Sequence, residues 1–326
     1  MRVELTSEVF SDIDDTTGPY SPQDLHHLYE LLRCFGEERH EWVADETVVV
    51  AVRAFLPRHL PQFADTYADL AEDAVVAVDA WTGTSQSTDA VRVSRADLTD
   101  HAVDLCQRAV VVVENQESDG FFLEAVAHVL GHERMNRAID KDWIEIANGG
   151  GSSLVKVAEK AARRFRRVVR VVAVLDSDRL IPRQRTGSHD KADRLVGLRV
   201  AVHVLARREA ENYVPYRVLA GVGRPADASA RLRWFKQLTP EQRGHYDMKH
   251  GFSKVHKSTT ATNAFQELFP DLDQRTRSGL HDGFGTDLLE RMHTHRDGLT
   301  EHDFAQLGAD VVAELRALLA TIAGRI

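Results

Sequence analysis

The chain has 326 residues, 43% hydrophobic and 28% charged, which is enough apolar material for real cores and for more than one domain. A formal net charge of −9 excludes a protein that coats nucleic acid by bulk positive charge, while leaving room for a local basic groove. Only two cysteines occur, Cys34 and Cys106, with no zinc-type spacing, no signal-peptide pattern at the start and no apolar run of membrane-spanning length. The expectation is a reduced, cytoplasmic protein with no membrane partner, its two cysteines acting as small apolar core residues.

Residues 1–105 read as a mixed α/β or helical region of unknown role. In SPQDLHHLYELL, Ser21 is a candidate N-cap and Pro22 takes the first helical position, so a helix starts there. ETVVVAVRAFL (46–56) fits a strand or a buried helix equally, and TGTSQST (82–88) reads as a loop.

Residues 106–222 have a different texture. AVVVV (109–113) is a buried-strand run, followed by the helix-like GFFLEAVAHVLGHERMNRAI (120–139). WIEIA (143–147) is a second strand, and NGGGSS suits a tight strand-to-helix turn. LVKVAEKAARRFRRVV (154–169) puts Val155, Ala158, Ala162, Phe165 and Val169 on one helical stripe. VVAVL (171–175) is a third strand, IPRQRTGSHDKADR (181–194) a polar loop, and LRVAVHVLA (198–206) a fourth strand. This alternation predicts an α/β fold with a parallel sheet. Residues 223–326 read as mainly helical, with a capping box at Thr239–Gln242, a turn at HDGFG (281–285) and one long amphipathic helix over 302–322.

Open parallel sheets place their functional crevice at the carboxyl ends of the strands. Three of the four strands end in acids there: Glu114, with Asp119 five residues on; Asp176 and Asp178; and Glu209 and Glu211. Carboxylates crowded in one crevice repel, and hard divalent cations resolve that conflict. Mg²⁺ or Mn²⁺ is therefore the expected cofactor, with metal-activated water attacking a phosphodiester. Glu114 is either a ligand or a general acid/base. Gly149, Gly150 and Gly151 would let backbone N–H groups approach a phosphate, and Lys156 and Arg179 are candidate phosphate contacts. Each piece also has an ordinary structural reading: a turn, a helix-dipole charge, or a solvated face. His128 and His132, at i and i+4, have metal-compatible spacing but no third ligand nearby in sequence.

The ordered set VVVVE … GGG … VVAVLDSD … REAENY, over about residues 107–220, resembles a TOPRIM domain, the metal-binding fold of topoisomerases, DnaG-type primases and OLD-family nucleases. The resemblance implies a TOPRIM-like sheet in which Glu114, Asp176 and Asp178 hold the metal, with the glycine turn beside them. RREAENYVPYRVL is similar to the OLD-like branch, which adds Glu209 and Glu211 as ligands and favours a nuclease over a topoisomerase or primase. Asn115 stands where the family has glycine, and Asp119 lies one residue farther than usual, with Glu117 as a substitute; VEN resembles the TOPRIM half of the Wadjet defence nuclease. In OLD-like nucleases a lysine outside the acidic core assists the transition state, which points to Lys249 in HYDMKHGFSKVHK (245–257). No GxxxxGK[ST] sequence occurs, so an ATPase driving the reaction would be a separate protein.

The resulting expectation is a metal-dependent nuclease acting on DNA or RNA, an effector of bacterial antiphage or plasmid defence, with self-association left open. The alternatives are a primase- or topoisomerase-type TOPRIM enzyme, and a catalytically silent TOPRIM-like module that regulates a partner.

Overall fold

The structure, a computed structural model, describes residues 1–12, 19–81, 90–253 and 259–326. The loop read at 82–88 and the basic residues Lys254, His256 and Lys257 lie outside the described residues. The chain is an α/β protein with two all-parallel sheets. In the N-terminal sheet, β1 (Arg2–Leu5) lies between β2 (Glu41–Val43) and β3 (Val91–Val93). The second sheet has the order β5-β4-β6-β7, formed by β4 (Ala109–Val113), β5 (Ile144–Asn148), β6 (Val171–Leu175) and β7 (Ala201–Val204).

The two central strands, β4 and β6, are buried at every position, as expected for a parallel sheet covered on both faces. Strand periodicity divides their side chains. Val110, Val112, Val171, Ala173 and Leu175 pack on the helix Leu154–Ala162 and on Leu195. Val111, Val113, Val172 and Val174 face the opposite core, which also holds Phe122, Tyr213, Leu315 and Leu319. Residues 223–326 thus share one core with the sheet. Residues 3–105 have their own core, built around Leu28, Leu32, Phe55 and Leu105.

Hydrogen bonds to main-chain groups join the two units. The carboxylate of Asp104, fully buried, accepts from the backbone N–H groups of Arg166, Arg167 and Val168. Buried Arg170 donates to the carbonyls of Asp104, Leu105 and Gln107 on one side and of Arg325 and Ile326 on the other.

The structure decides one open reading and departs from several others. ETVVVAVRAFL is helical, within Glu46–His59, because Asp45 caps Val48 N and Val48, Val52, Phe55 and Leu56 form one buried stripe. The stretch 120–139 splits at Gly131, whose φ of +60° ends one helix at Val129 before another begins at Glu133. The stripe through Val169 outlasts its helix, which stops at Ala162; Phe165 and Val169 are buried from a turn instead. The polar stretch 181–194 contains the helix Gly187–Val196. The final helix is two, Glu301–Ala305 and Val311–Ala323. Among the described residues, no helix is long and apolar enough to cross a membrane.

Candidate metal centre

Registered pairing aligns the strand ends: Val113 lies opposite Asn148, and Leu175 opposite Val204. Glu114, Gly149 and Asp176 therefore emerge along one edge of the sheet. One carboxylate oxygen each from Asp176, Glu209 and Glu211 lies within 4.8 Å of the others. Two backbone features create this meeting. The Ala210 N–H donates to Asp176 Oδ1 at 3.0 Å and draws the end of β6 against the loop after β7. That loop then turns from extended Glu209 into the short 3₁₀ turn Ala210–Tyr213.

The remaining residues of RREAENY hold the turn in place. Asn212 accepts from Glu209 N and donates to the carbonyls of Arg243 and Tyr246. Arg207 reaches the carbonyls of Asn212 and Leu307, and the Tyr213 hydroxyl donates to Glu314 at 2.6 Å. The two glutamates are thereby not a solvated face: the side chain of Glu211 is only 4% exposed.

Lys249 supplies the local counter-charge, 2.8 Å from Glu211 and 3.3 Å from Glu209. It sits on the turn Asp247–Gly251, which is backed by HDGFG. A Cβ on Gly283 would lie 2.6 Å from Gly251 N and 2.7 Å from the Lys249 carbonyl carbon. Phe284 N also donates to Met248 O at 2.7 Å. The segment read from sequence as a plain turn is thus the buttress behind Lys249.

Electrostatics follow from crowding. Burial, then the charges of Asp119, Glu211, Glu209 and Glu114, push the Asp176 carboxyl well above the usual carboxylate range. Burial and Glu211 raise Glu209 against the pull of Lys249 and Arg208. Burial also raises Asp119, with the Asn115 N–H opposing and Glu114 adding. Burial opposes the charge on Lys249, but Glu209 and Glu211 outweigh it and hold its pKa above the ordinary lysine value.

Not every residue expected at the site joins it. Asp178 does not follow Asp176 inward. Its φ of +54° breaks the extended alternation, and its carboxylate turns outward to the Ser188 hydroxyl at 3.0 Å. Glu114 faces the edge of the cluster and pairs with Lys191 at 3.4 Å. Asp119 accepts from Asn115 N at 2.9 Å, capping its own helix. Gly149 and Gly150 do not offer their N–H groups to a phosphate: these already bond Val113 O and Glu114 O. What Gly149 provides is space, since a Cβ there would lie 2.7 Å from Val113 O. Gly150 and Gly151 are both left-handed, with φ of +55° and +50°.

Arg179 braces its loop through Gln184 O, Ala206 O and His189. Lys156 is exposed on the helix Leu154–Ala162. The arginines that follow this helix are engaged elsewhere: Arg164 pairs with Glu145, Arg166 with Asp100 and Arg167 with Asp97. His128 pairs with Asp297 and His132 caps a helix, so neither takes part in a metal pair. Sequence reasoning missed Lys191, in the stretch read as loop; its signal was a helical segment opening after Thr186.

Around Asp176 stand four further carboxylates, those of Glu114, Asp119, Glu209 and Glu211. Among the described residues, two ammonium groups, Lys191 and Lys249, pair with this set. The close group is all oxygen donors, without histidine or cysteine, which fits a hard divalent cation better than zinc. The cluster could bind a metal ion. No protein-family model, curated protein or solved structure matches the chain.

Proposed function

We propose that this chain is a divalent-metal-dependent nuclease of the TOPRIM, OLD-like kind. It would hydrolyse phosphodiester bonds of DNA or RNA in the cytoplasm, as a defence effector working beside a separate ATPase. The observation that carries this reading is the approach of Asp176, Glu209 and Glu211 to within 4.8 Å at the carboxyl edge of a parallel sheet. Bound there, Mg²⁺ or Mn²⁺ would supply charge neutralisation for a phosphate and a more acidic water. Asp176, Glu209 and Glu211 would hold the cation, and Glu114 and Asp119 add negative charge at its border. Lys249, 2.8 Å from Glu211, would neutralise charge that builds on a phosphate beside the cation.

The pairing of Lys249 with two of the three acids favours a second reading, in which the lysine permanently replaces the metal and the module is catalytically silent. One experiment separates the two. Plasmid, single-stranded DNA and tRNA are incubated with the protein and Mg²⁺, Mn²⁺ or EDTA, alongside Asp176→Asn, Glu209→Gln and Lys249→Met, with Mn²⁺ binding followed by calorimetry. The nuclease reading expects metal-dependent cleavage that falls about 100-fold or more in each variant. It expects Mn²⁺ binding to be lost in the two acid variants and kept in Lys249→Met. Undiminished cleavage in Asp176→Asn and Glu209→Gln would remove the site. Absence of Mn²⁺ binding to the unaltered protein would favour the silent module.

A further inference from the structure

The two cysteines lie 72 residues apart in sequence, yet their sulfurs are 3.3 Å apart in the fold. Cys34 is buried in the helix Pro22–Gly36, and Cys106, half-buried, ends the helix Leu98–Cys106. Both are free thiols. A disulfide of about 2.0 Å requires the sulfurs to close by roughly 1.3 Å, within reach of side-chain rotation. Cys106 also lines a solvent-open cavity of about 520 Å³ with Arg33, Arg39, Arg108 and Lys141, so a small oxidant has a route to the pair.

The surroundings favour reaction. Arg39 holds the end of the cysteine-bearing helix, donating to the carbonyls of Cys106 and Gln107. The hydrogen bond with Cys106, with Arg39 and Arg33 adding positive charge, holds the Cys34 thiol below its ordinary range despite burial, while the same bond and burial push the Cys106 thiol up. The thiolate is the reactive form. The Gln107 carbonyl, between the helix Leu98–Cys106 and β4, also accepts from Arg170, which ties the N-terminal unit to the sheet that carries the acidic cluster.

We propose that Cys34 and Cys106 are a redox-active pair that closes to an intramolecular disulfide in the presence of a peroxide. One thiolate attacks a peroxide oxygen, the O–O bond breaks and a sulfenic acid forms with release of hydroxide. The second thiol attacks that sulfur, the S–O bond breaks and water leaves, so that two thiols and one hydrogen peroxide become one disulfide and two waters. A dithiol reductant reverses the reaction. The bridge joins the first helix of the N-terminal unit to its last, immediately before β4, and so braces the junction between the two cores. The inference is independent of the nuclease reading.

The test uses the full chain. After treatment with hydrogen peroxide it is denatured, alkylated with N-ethylmaleimide and weighed intact, with and without prior dithiothreitol. The expected result is a species lighter by two hydrogens that takes up no maleimide, and that takes up two after reduction. Urea unfolding of the oxidised protein should shift to a higher midpoint, a shift absent in Cys106→Ser, whose altered residue is partly exposed and well placed to be tolerated. Two maleimides on the peroxide-treated protein, sulfinic acid without bridging, or bridging only between chains would each overturn the proposal.

Discussion

The direction of one side chain past a strand end depends on a single backbone angle, and Asp176 and Asp178 illustrate it. Both follow β6, but the left-handed φ of Asp178 sends it to Ser188 while Asp176 turns toward Glu209 and Glu211. The cost of that crowding falls on the buried carboxyls. Asp176, Glu209 and Asp119 have raised folded pKa values. Their protonated forms are favoured by folding, so their contribution to stability is present below the ordinary carboxyl range and is lost as pH rises through the raised values. A divalent cation binds the ionised form and reverses that loss. The increase in melting temperature on adding Mn²⁺ should therefore be larger near about pH 8 than near about pH 5. Differential scanning fluorimetry in matched buffers checks this, and an increment that is flat or larger at the acidic end would contradict it.

At the scale of elements, the site is held from behind by turns. The Lys249 turn and the HDGFG turn approach through glycine: Gly251 and Gly283 both have positive φ, +62° and +66°, and no room for a side chain. Gly283→Ala forces both a strained backbone and a clash with main chain, and should cost about 1–3 kcal/mol in urea unfolding. It should also weaken Mn²⁺ binding, because Met248, whose N–H donates to Glu209 Oε1, moves with the turn. Gly298→Ala, where an added Cβ meets nothing within 4 Å, should change stability by less than about 0.5 kcal/mol. Equal effects of the two substitutions would show that the turn-to-turn contact does not matter.

At the scale of the molecule, two cores meet through a polar joint. Asp104 receives three consecutive backbone N–H groups from the turn at Arg166–Val168. Removing this acceptor leaves donors unsatisfied in a buried junction. Asp104→Ala should therefore cost about 3 kcal/mol. Because the joint links separate cores, urea unfolding of the variant should lose its single transition or show a reduced slope. A fall of under about 1 kcal/mol with an unchanged slope would mean that the other contacts across the junction, those of Arg170, Arg166 and Arg167 among them, carry it.

Much of the fold was legible because burial on both faces of a sheet leaves a plain mark. AVVVV and VVAVL read as strands and are strands to the residue. The order of strands and acids followed from chain order, since parallel strands put successive carboxyl ends on one edge. What was not legible depends on contacts remote in sequence or on one local angle. ETVVVAVRAFL carries β-branched residues that suit either state, and only the facing core and the Asp45 cap decide for helix. The glycines after β5 suggested a phosphate cradle, but strand ends from elsewhere in the chain take up the N–H groups of Gly149 and Gly150.

The sequence by itself determined that this is a parallel α/β protein with acids at its strand ends, because periodicity and burial are local properties of a chain. Only the tertiary structure decided which acids share a site. Asp176, Glu209 and Glu211 converge because the Ala210 N–H reaches across to Asp176. Lys249 joins them from 40 residues beyond Glu209 because two glycine turns fit against each other. Close charges and close backbones are set by packing, which no spacing along the chain encodes.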